Sequence, residues 1–295
     1  RHQVLSEYKN KIYQMPINLE TINYYFGKNF NPKQAENYVR EISKKYIKKN
    51  PKNFEEKALM QIGKKLYESF IKNYTTKQWG KEPRLLPSSI FNRLPLRFNY
   101  NEDYFKNSIS QGIPEDGYTS IFKKLIESNK IKIEFNSTFN LKKKYKVKYL
   151  TIYTGPLDKL FNYQFGHLEW RSLKFVKKIY NVKDFQGTSV MNFPDLKIKF
   201  IRRHEPRHLH PERNYTNKKT LLIEEYPVIN NLEPYYPIND SKNRIIHKKY
   251  KNLLNKNKQL NIISGGRLAD YAYYDMDMTI SAALNKFDQI KKNLL

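Results

Sequence analysis

The sequence predicts a mixed α+β / α/β fold, and three observations carry the prediction. Apolar residues recur at helical spacing through residues 20–75, β-like stretches occupy the middle of the chain, and a strand, a Gly265-Gly266 turn and a helix close it. That last arrangement suits an anion, because the first backbone N–H groups of a helix have no intrahelical acceptor.

The elements follow in order. Asn31-Pro32 offers an N-cap and then a proline at the first helical position, and Ala35, Tyr38, Val39, Ile42 and Tyr46 mark one face of the helix that follows. The run NFEEKALMQIGKKLYESFIKNY predicts a second helix with Leu59, Ile62, Leu66 and Phe70 as its apolar stripe. Beyond Trp79 the run RLPLRFNY alternates, with Arg93, Pro95, Arg97 and Asn99 on one face and Leu94, Leu96, Phe98 and Tyr100 on the other. This predicts a strand that Pro95 confines to an edge or a start. Shorter strands are predicted at 131–136, 146–153, 188–193, 197–203 and 219–226. LNIIS reads as a buried strand, and DMDMTISAALNKF as a helix with Met276, Ile280, Ala283, Leu284 and Phe287 turned inward.

Composition limits the function classes. With 55 Lys+Arg against 28 Asp+Glu the formal charge is +27, which raises nucleic acid as a partner. The lysines are spread along the whole chain, however, and the densest runs, KKYIKK and LKKKYKVK, have no recognition pattern and read as solvated faces. The absence of cysteine excludes disulfides and thiolate chemistry, and no apolar run approaches the length of a membrane span or a signal h-region. The expectation is a cytoplasmic protein without a membrane partner.

One motif looks like a metal site. His204-Glu205-Pro206-Arg207-His208 matches H-E-x-x-H, a signature that works only when a helix sets both histidines one turn apart on one face. Pro206 opposes such a helix and the flanking arginines oppose a dication, so no metal is expected. In extended form, Arg202, His204, His208 and His210 would face one way and Arg203, Glu205 and Arg207 the other. Such a basic strand suits an anion. Arg93, Arg97, Arg202 and Arg267 all stand on predicted strands or beside turns, and a guanidinium fork matches phosphate oxygens; surface ion pairs are the plainer role for each. Tyrosines cluster near them, at Tyr74, at Tyr235-Tyr236 and at Tyr271, Tyr273 and Tyr274.

The segments YTTKQWG, RLPLRF, GIPEDGYT, YTGPLDKLFNYQFG, FQGTSVMNF, HEPRHLHPER, EPYYPIND and GGRLADYAYYDM, in this order, resemble the UDP-galactopyranose mutase family across essentially residues 1–290. The resemblance implies a partial FAD-binding Rossmann-like domain with a helical insert and an antiparallel substrate-binding sheet. It places the start of the sheet region at 1–19, the helical sub-domain at 20–80, the substrate domain at 81–110 and 159–243, and the rest of the FAD domain at 111–158 and 244–295. It implies an isomerase that interconverts UDP-galactose and UDP-galactofuranose with reduced FAD, through a bond between flavin N5 and the sugar.

By the same resemblance Arg202 and Arg97 grip the substrate diphosphate. Tyr74 stacks on uracil, Phe70, Thr75, Trp79, Arg93, Tyr104 and Asn192 line the nucleotide-sugar cleft, and Tyr236 and Tyr273 donate to the diphosphate. Thr154, Gly155, Arg267, Asp275 and Met276 contact FAD, and His2 falls near the uridine. One feature departs from the family: no G-x-G-x-x-G occurs in the 295 residues. The expectation is therefore an N-terminally truncated mutase that holds FAD poorly. The alternatives are a non-catalytic UDP-sugar binder and a basic nucleic-acid-binding protein; homo-oligomer formation stays open.

Overall fold

A computed structural model describes residues 3–93, 96–103, 105, 110–229 and 233–294, with the backbone alone at 92, 93, 293 and 294. In chain order the regular elements are β1 (Val4–Tyr8), β2 (Lys11–Met15), α1 (Leu19–Phe26), α2 (Pro32–Ser43), α3 (Phe54–Leu66), α4 (Asn73–Trp79) and α5 (Tyr118–Ile126). There follow β3 (Thr151–Tyr153), α6 (Leu157–Leu160), β4 (Trp170–Tyr180), β5 (Val190–Asn192), β6 (Arg202–His204), β7 (Thr220–Val228) and β8 (Tyr236–Pro237). The last are α7 (Ser241–Lys256), β9 (Ile262–Ser264), α8 (Gly266–Ala269) and α9 (Met276–Leu294). Two compact units result, one of residues 1–132 with 173–228 and one of residues 133–172 with 229–295.

In the first unit the strands run in the order β2-β1-β5-β6-β7-β4. β1 and β2 form a hairpin through Lys9 and Asn10, both at positive φ, the backbone that a tight two-residue turn requires. β5, β6 and β7 pair antiparallel, whereas β1 meets β5 in parallel, Ser6 opposite Asn192.

Helices α1 to α4 belong to the same unit. The N-terminus of α2 forms as its sequence predicts: the Asn31 side chain accepts from the Gln34 amide while the Gln34 side chain accepts from the Asn31 amide. Ala35 and Val39 are buried, as are Ile62, Leu66 and Phe70 of the second predicted helix. That helix is not continuous. Gly63 breaks it at φ 70° and ψ 168°, and a π-helical stretch from Tyr67 to Lys72 leads into α4. A Cβ on Gly63 would lie 3.1 Å from Ile42 Cγ1 and 3.3 Å from the Ile42 carbonyl, so glycine here allows both the backbone turn and the approach of α2.

The second unit holds the parallel pair β3–β9, Ile152 opposite Ile263. Its core joins Leu157 and Leu160 of α6, Tyr250 and Leu254 of α7 and Ala269 of α8, with a smaller cluster of Leu168, Trp170 and Tyr271 beside it. Tyr250 donates to the Gly166 carbonyl at 2.8 Å, and Tyr271 is fully buried with its hydroxyl on the Glu169 and Ile238 carbonyls.

Three expectations need correction. Residues 96–100 form no strand; the stretch lies along residues 17–19 with two backbone bonds, Arg97 N to Ile17 O and Leu19 N to Asn99 O, and no ladder. Residues 131–136 alternate but pair with no strand among the described residues, and Phe135 is exposed. α9 forms, yet Met276, Ile280, Leu284 and Phe287 are 63, 61, 61 and 60% exposed. Periodicity states which residues share a helix face, not whether another element covers it.

Gly63→Ala should destabilise the chain by about 1–3 kcal/mol, the cost of holding a side chain at this φ against a close neighbour. Urea denaturation of the variant against the wild type measures it.

Candidate functional site

The first unit brings α4, β5, β6 and β7 to one place. β6 sets Arg202 opposite Asn192 of β5 on one side and Glu225 of β7 on the other. The Arg202 guanidinium donates to the Tyr74 hydroxyl on α4 and lies 3.5 Å from a Glu225 carboxylate oxygen. That same oxygen is 3.0 Å from His204 Nε2. Glu225 is almost wholly buried while the Arg202 side chain keeps 25% of its surface exposed, so the cation is anchored from beneath and open above. A guanidinium fork that is partly exposed can be approached by an anion from solvent.

The alternation expected for a strand holds through residue 205. Arg203 faces opposite to Arg202, with its guanidinium 4.8 Å from the Phe185 ring, 5.0 Å from the Phe193 ring and its Nε on Gln186. Burial lowers its pKa from the usual value. Glu205, fully buried, accepts from the Phe185 and Gln186 amides and from the Thr220 hydroxyl at 2.6 Å. It closes a loop rather than activating a water. Pro206 then starts a 3-10 turn, Pro206–Leu209, and the alternation ends there. His208 stands with Asp184 and Glu205, contrary to the face expected for it, because the turn rotates the chain away from strand geometry. Asp184, Glu205 and His208 present ligand-type atoms within 4.8 Å of one another. His204 points to Glu225 instead, so the two histidines of H-E-x-x-H have separate partners.

The other expected substrate residues have varied surroundings. Phe70 is buried against Tyr8, Tyr13 and Tyr25, its ring centroid 4.9 Å from that of Tyr13. Thr75 and Trp79 are likewise buried. Arg97 directs its guanidinium to the carbonyls of Asp103 and Phe105, flanking Tyr104 in sequence. Tyr104, His2 and the Arg93 side chain lie outside the described residues.

In the second unit, β3 and β9 run parallel and both end in glycine-containing turns. Thr154-Gly155 follows β3, Gly265-Gly266 follows β9, and the Gly265 amide donates to the Tyr153 carbonyl at 3.2 Å. Ligands of α/β sheets bind at these carboxyl ends. Side chains are disfavoured at both turns: a Cβ on Gly155 would lie 2.5 Å from the Tyr153 hydroxyl, and Gly266 stands at φ +86°, where an L side chain is strained. Bare backbone at two adjacent strand ends is what the approach of a cofactor requires. Arg267 follows at once, its guanidinium on the carbonyls of Tyr274 and Tyr235 and 4.8 and 5.9 Å from the rings of Tyr273 and Tyr236. Those two rings are 5.3 Å apart. The backbone carbonyl of Asp275 accepts the Thr279 amide in the first turn of α9, next to the exposed Met276.

Sequence reasoning missed Glu225 and Lys77. The first left a faint signal, since adjacent Glu224 and Glu225 in a strand must face opposite ways, and both prove buried. Lys77 left none among so many lysines.

Comparisons with known proteins fit this arrangement. A family model described as UDP-galactopyranose mutase matches residues 69–273. A probable UDP-galactopyranose mutase of Klebsiella pneumoniae is 37% identical over 290 residues, 98% of this chain and 73% of that protein. A dTDP-fucopyranose mutase of Escherichia coli is 35% identical over 286 residues, 94% of this chain and 74% of its own length. Among solved structures, a reduced UDP-galactopyranose mutase superposes with a TM-score of 0.66 at 14% identity, covering 92% of this chain and 72% of that one, which is a likeness of fold. By the family match and these identities, the chain belongs to the UDP-galactopyranose mutase family.

Proposed function

We propose that this protein serves the interconversion of UDP-galactopyranose and UDP-galactofuranose, with Arg202 as the principal ligand of the substrate diphosphate. The observation that carries the reading is the partly exposed Arg202 side chain, held by Tyr74 and Glu225 on a strand that sets Asn192 beside it. A fixed cation at this point stabilises UDP as it leaves the anomeric carbon and keeps it near for return. Tyr74 offers its ring to uracil and its hydroxyl to Arg202, so base and diphosphate are registered by one side chain. Phe70, Thr75, Trp79 and Asn192 support that cleft. Arg97 acts on the same diphosphate and also orders the backbone on either side of Tyr104.

The glycine turns after β3 and β9 and the neighbouring Arg267, Asp275 and Met276 suit FAD, and Thr154 and Gly155 give it backbone contact. Reduced FAD, when bound, supplies a nucleophilic nitrogen for the anomeric carbon. Within the second unit Arg267 holds the rings of Tyr236 and Tyr273 in place. No side chain of the chain need act as a nucleophile. The E. coli relative's name, a dTDP-fucopyranose mutase, makes a thymidine nucleotide the natural competitor in any test of base preference.

Calorimetric titration with UDP tests the reading. The wild-type chain should bind UDP, Arg202→Ala should weaken binding by about 2–5 kcal/mol as for loss of a buried charge partner, and a single-stranded oligonucleotide should not compete. Tyr74→Phe keeps the ring and removes the acceptor of Arg202, so affinity should fall by about 0.5–1.5 kcal/mol, a typical hydrogen bond. Equal UDP affinity in wild type and Arg202→Ala would exclude the assignment.

A further inference from the structure

Lys77 stands one turn along α4 from Tyr74, and its ammonium lies among four backbone carbonyls. The distances are 2.5 Å to Phe193 O, 2.9 Å to Asp195 O, 2.8 Å to Ile198 O and 2.9 Å to Phe200 O. All four belong to the loop that joins β5 to β6. The loop is closed on itself by Phe193 N to Ile201 O at 2.9 Å, Ile198 N to Asp195 O at 3.3 Å and Lys197 N to the Asp195 carboxylate at 2.9 Å. Phe193 and Phe200 pack edge to face at its neck.

Converging carbonyl oxygens carry like partial charges, and a compact loop keeps them together only around a cation. An ammonium on a long flexible stem fits that centre, whereas a planar guanidinium does not. Burial pushes Lys77 down to about 8, while Asp195 acts in the opposite sense and the carbonyls favour the charged form.

The two ends of this loop are the residues that the proposed site uses. Asn192 closes β5 and Arg202 opens β6. α4 therefore grips the hairpin twice, through Tyr74 on Arg202 and through Lys77 inside the loop. We infer that Lys77 is a positioning residue for the diphosphate site: it locks the loop 193–201 to α4 and so sets where Arg202 and Asn192 stand relative to Tyr74. The inference rests on the reading of Arg202 as the diphosphate ligand.

The test is a double-mutant cycle read by UDP titration, with wild type, Lys77→Met, Arg202→Lys and the double variant. Circular dichroism checks that each is folded at the titration temperature. Lys77→Met should bind UDP about tenfold more weakly, within the usual range of coupling between groups that touch one structural network. In the Arg202→Lys background the same change should cost much less, because the guanidinium that Lys77 places is already gone. A purely structural lysine would weaken both backgrounds equally, and that additivity would overturn the inference, as would wild-type affinity in Lys77→Met. If UDP affinity is the same in wild type and Arg202→Lys, or the wild type does not bind UDP, the parent reading fails and this one with it. Should Lys77→Met not fold, Lys77→Gln takes its place in the cycle. Failure of both to fold would make Lys77 a stability residue and refute the positioning role.

Discussion

A cation drawn partly out of water must be met by oxygen atoms, and the first unit is arranged around two such cations on one hairpin. Arg202 is met by a phenol and a carboxylate, and Lys77 by four backbone carbonyls. The two sets of partners differ in consequence. Carbonyls that surround Lys77 leave it nothing to offer a ligand, so it acts as a fastener. Arg202 keeps 25% of its side-chain surface exposed, where an anion can approach it.

Glu225 makes this arrangement tolerable. A buried carboxylate shared by Arg202 and His204 offsets part of the local positive charge before any anion binds. It also fixes the rotamer of Arg202, so less side-chain entropy is lost on binding. The second unit uses a different device. There two parallel strands end in turns that carry Gly155 and Gly266, and Arg267 is built in among tyrosine rings and carbonyls.

Local signals made much of this legible in the sequence. The N-cap and proline of α2, the stripe of Ile62, Leu66 and Phe70, and the Gly-Gly turn before α8 are short-range features, and each forms as its residues require. Pro206 was enough to exclude the helix that H-E-x-x-H needs. What escaped depends on distant partners. Alternation at 96–100 and 131–136 did not become strand, because a strand needs a neighbour with free N–H and C=O groups and the pattern does not supply one. The apolar face of α9 was plain, but its exposure was not. Lys77 and Glu225 took their roles from residues more than a hundred positions away in one case, and from a carboxylate's position between Arg202 and His204 in the other.

The claim on which the account turns is that this hairpin recognises a diphosphate and not merely a nucleoside. Comparing the affinities of the wild-type chain for UDP and for uridine under one buffer measures that directly. The account predicts that UDP binds at least about tenfold more tightly, a difference of some 1.4 kcal/mol, and that added salt narrows the gap. Equal affinity for the two would contradict it.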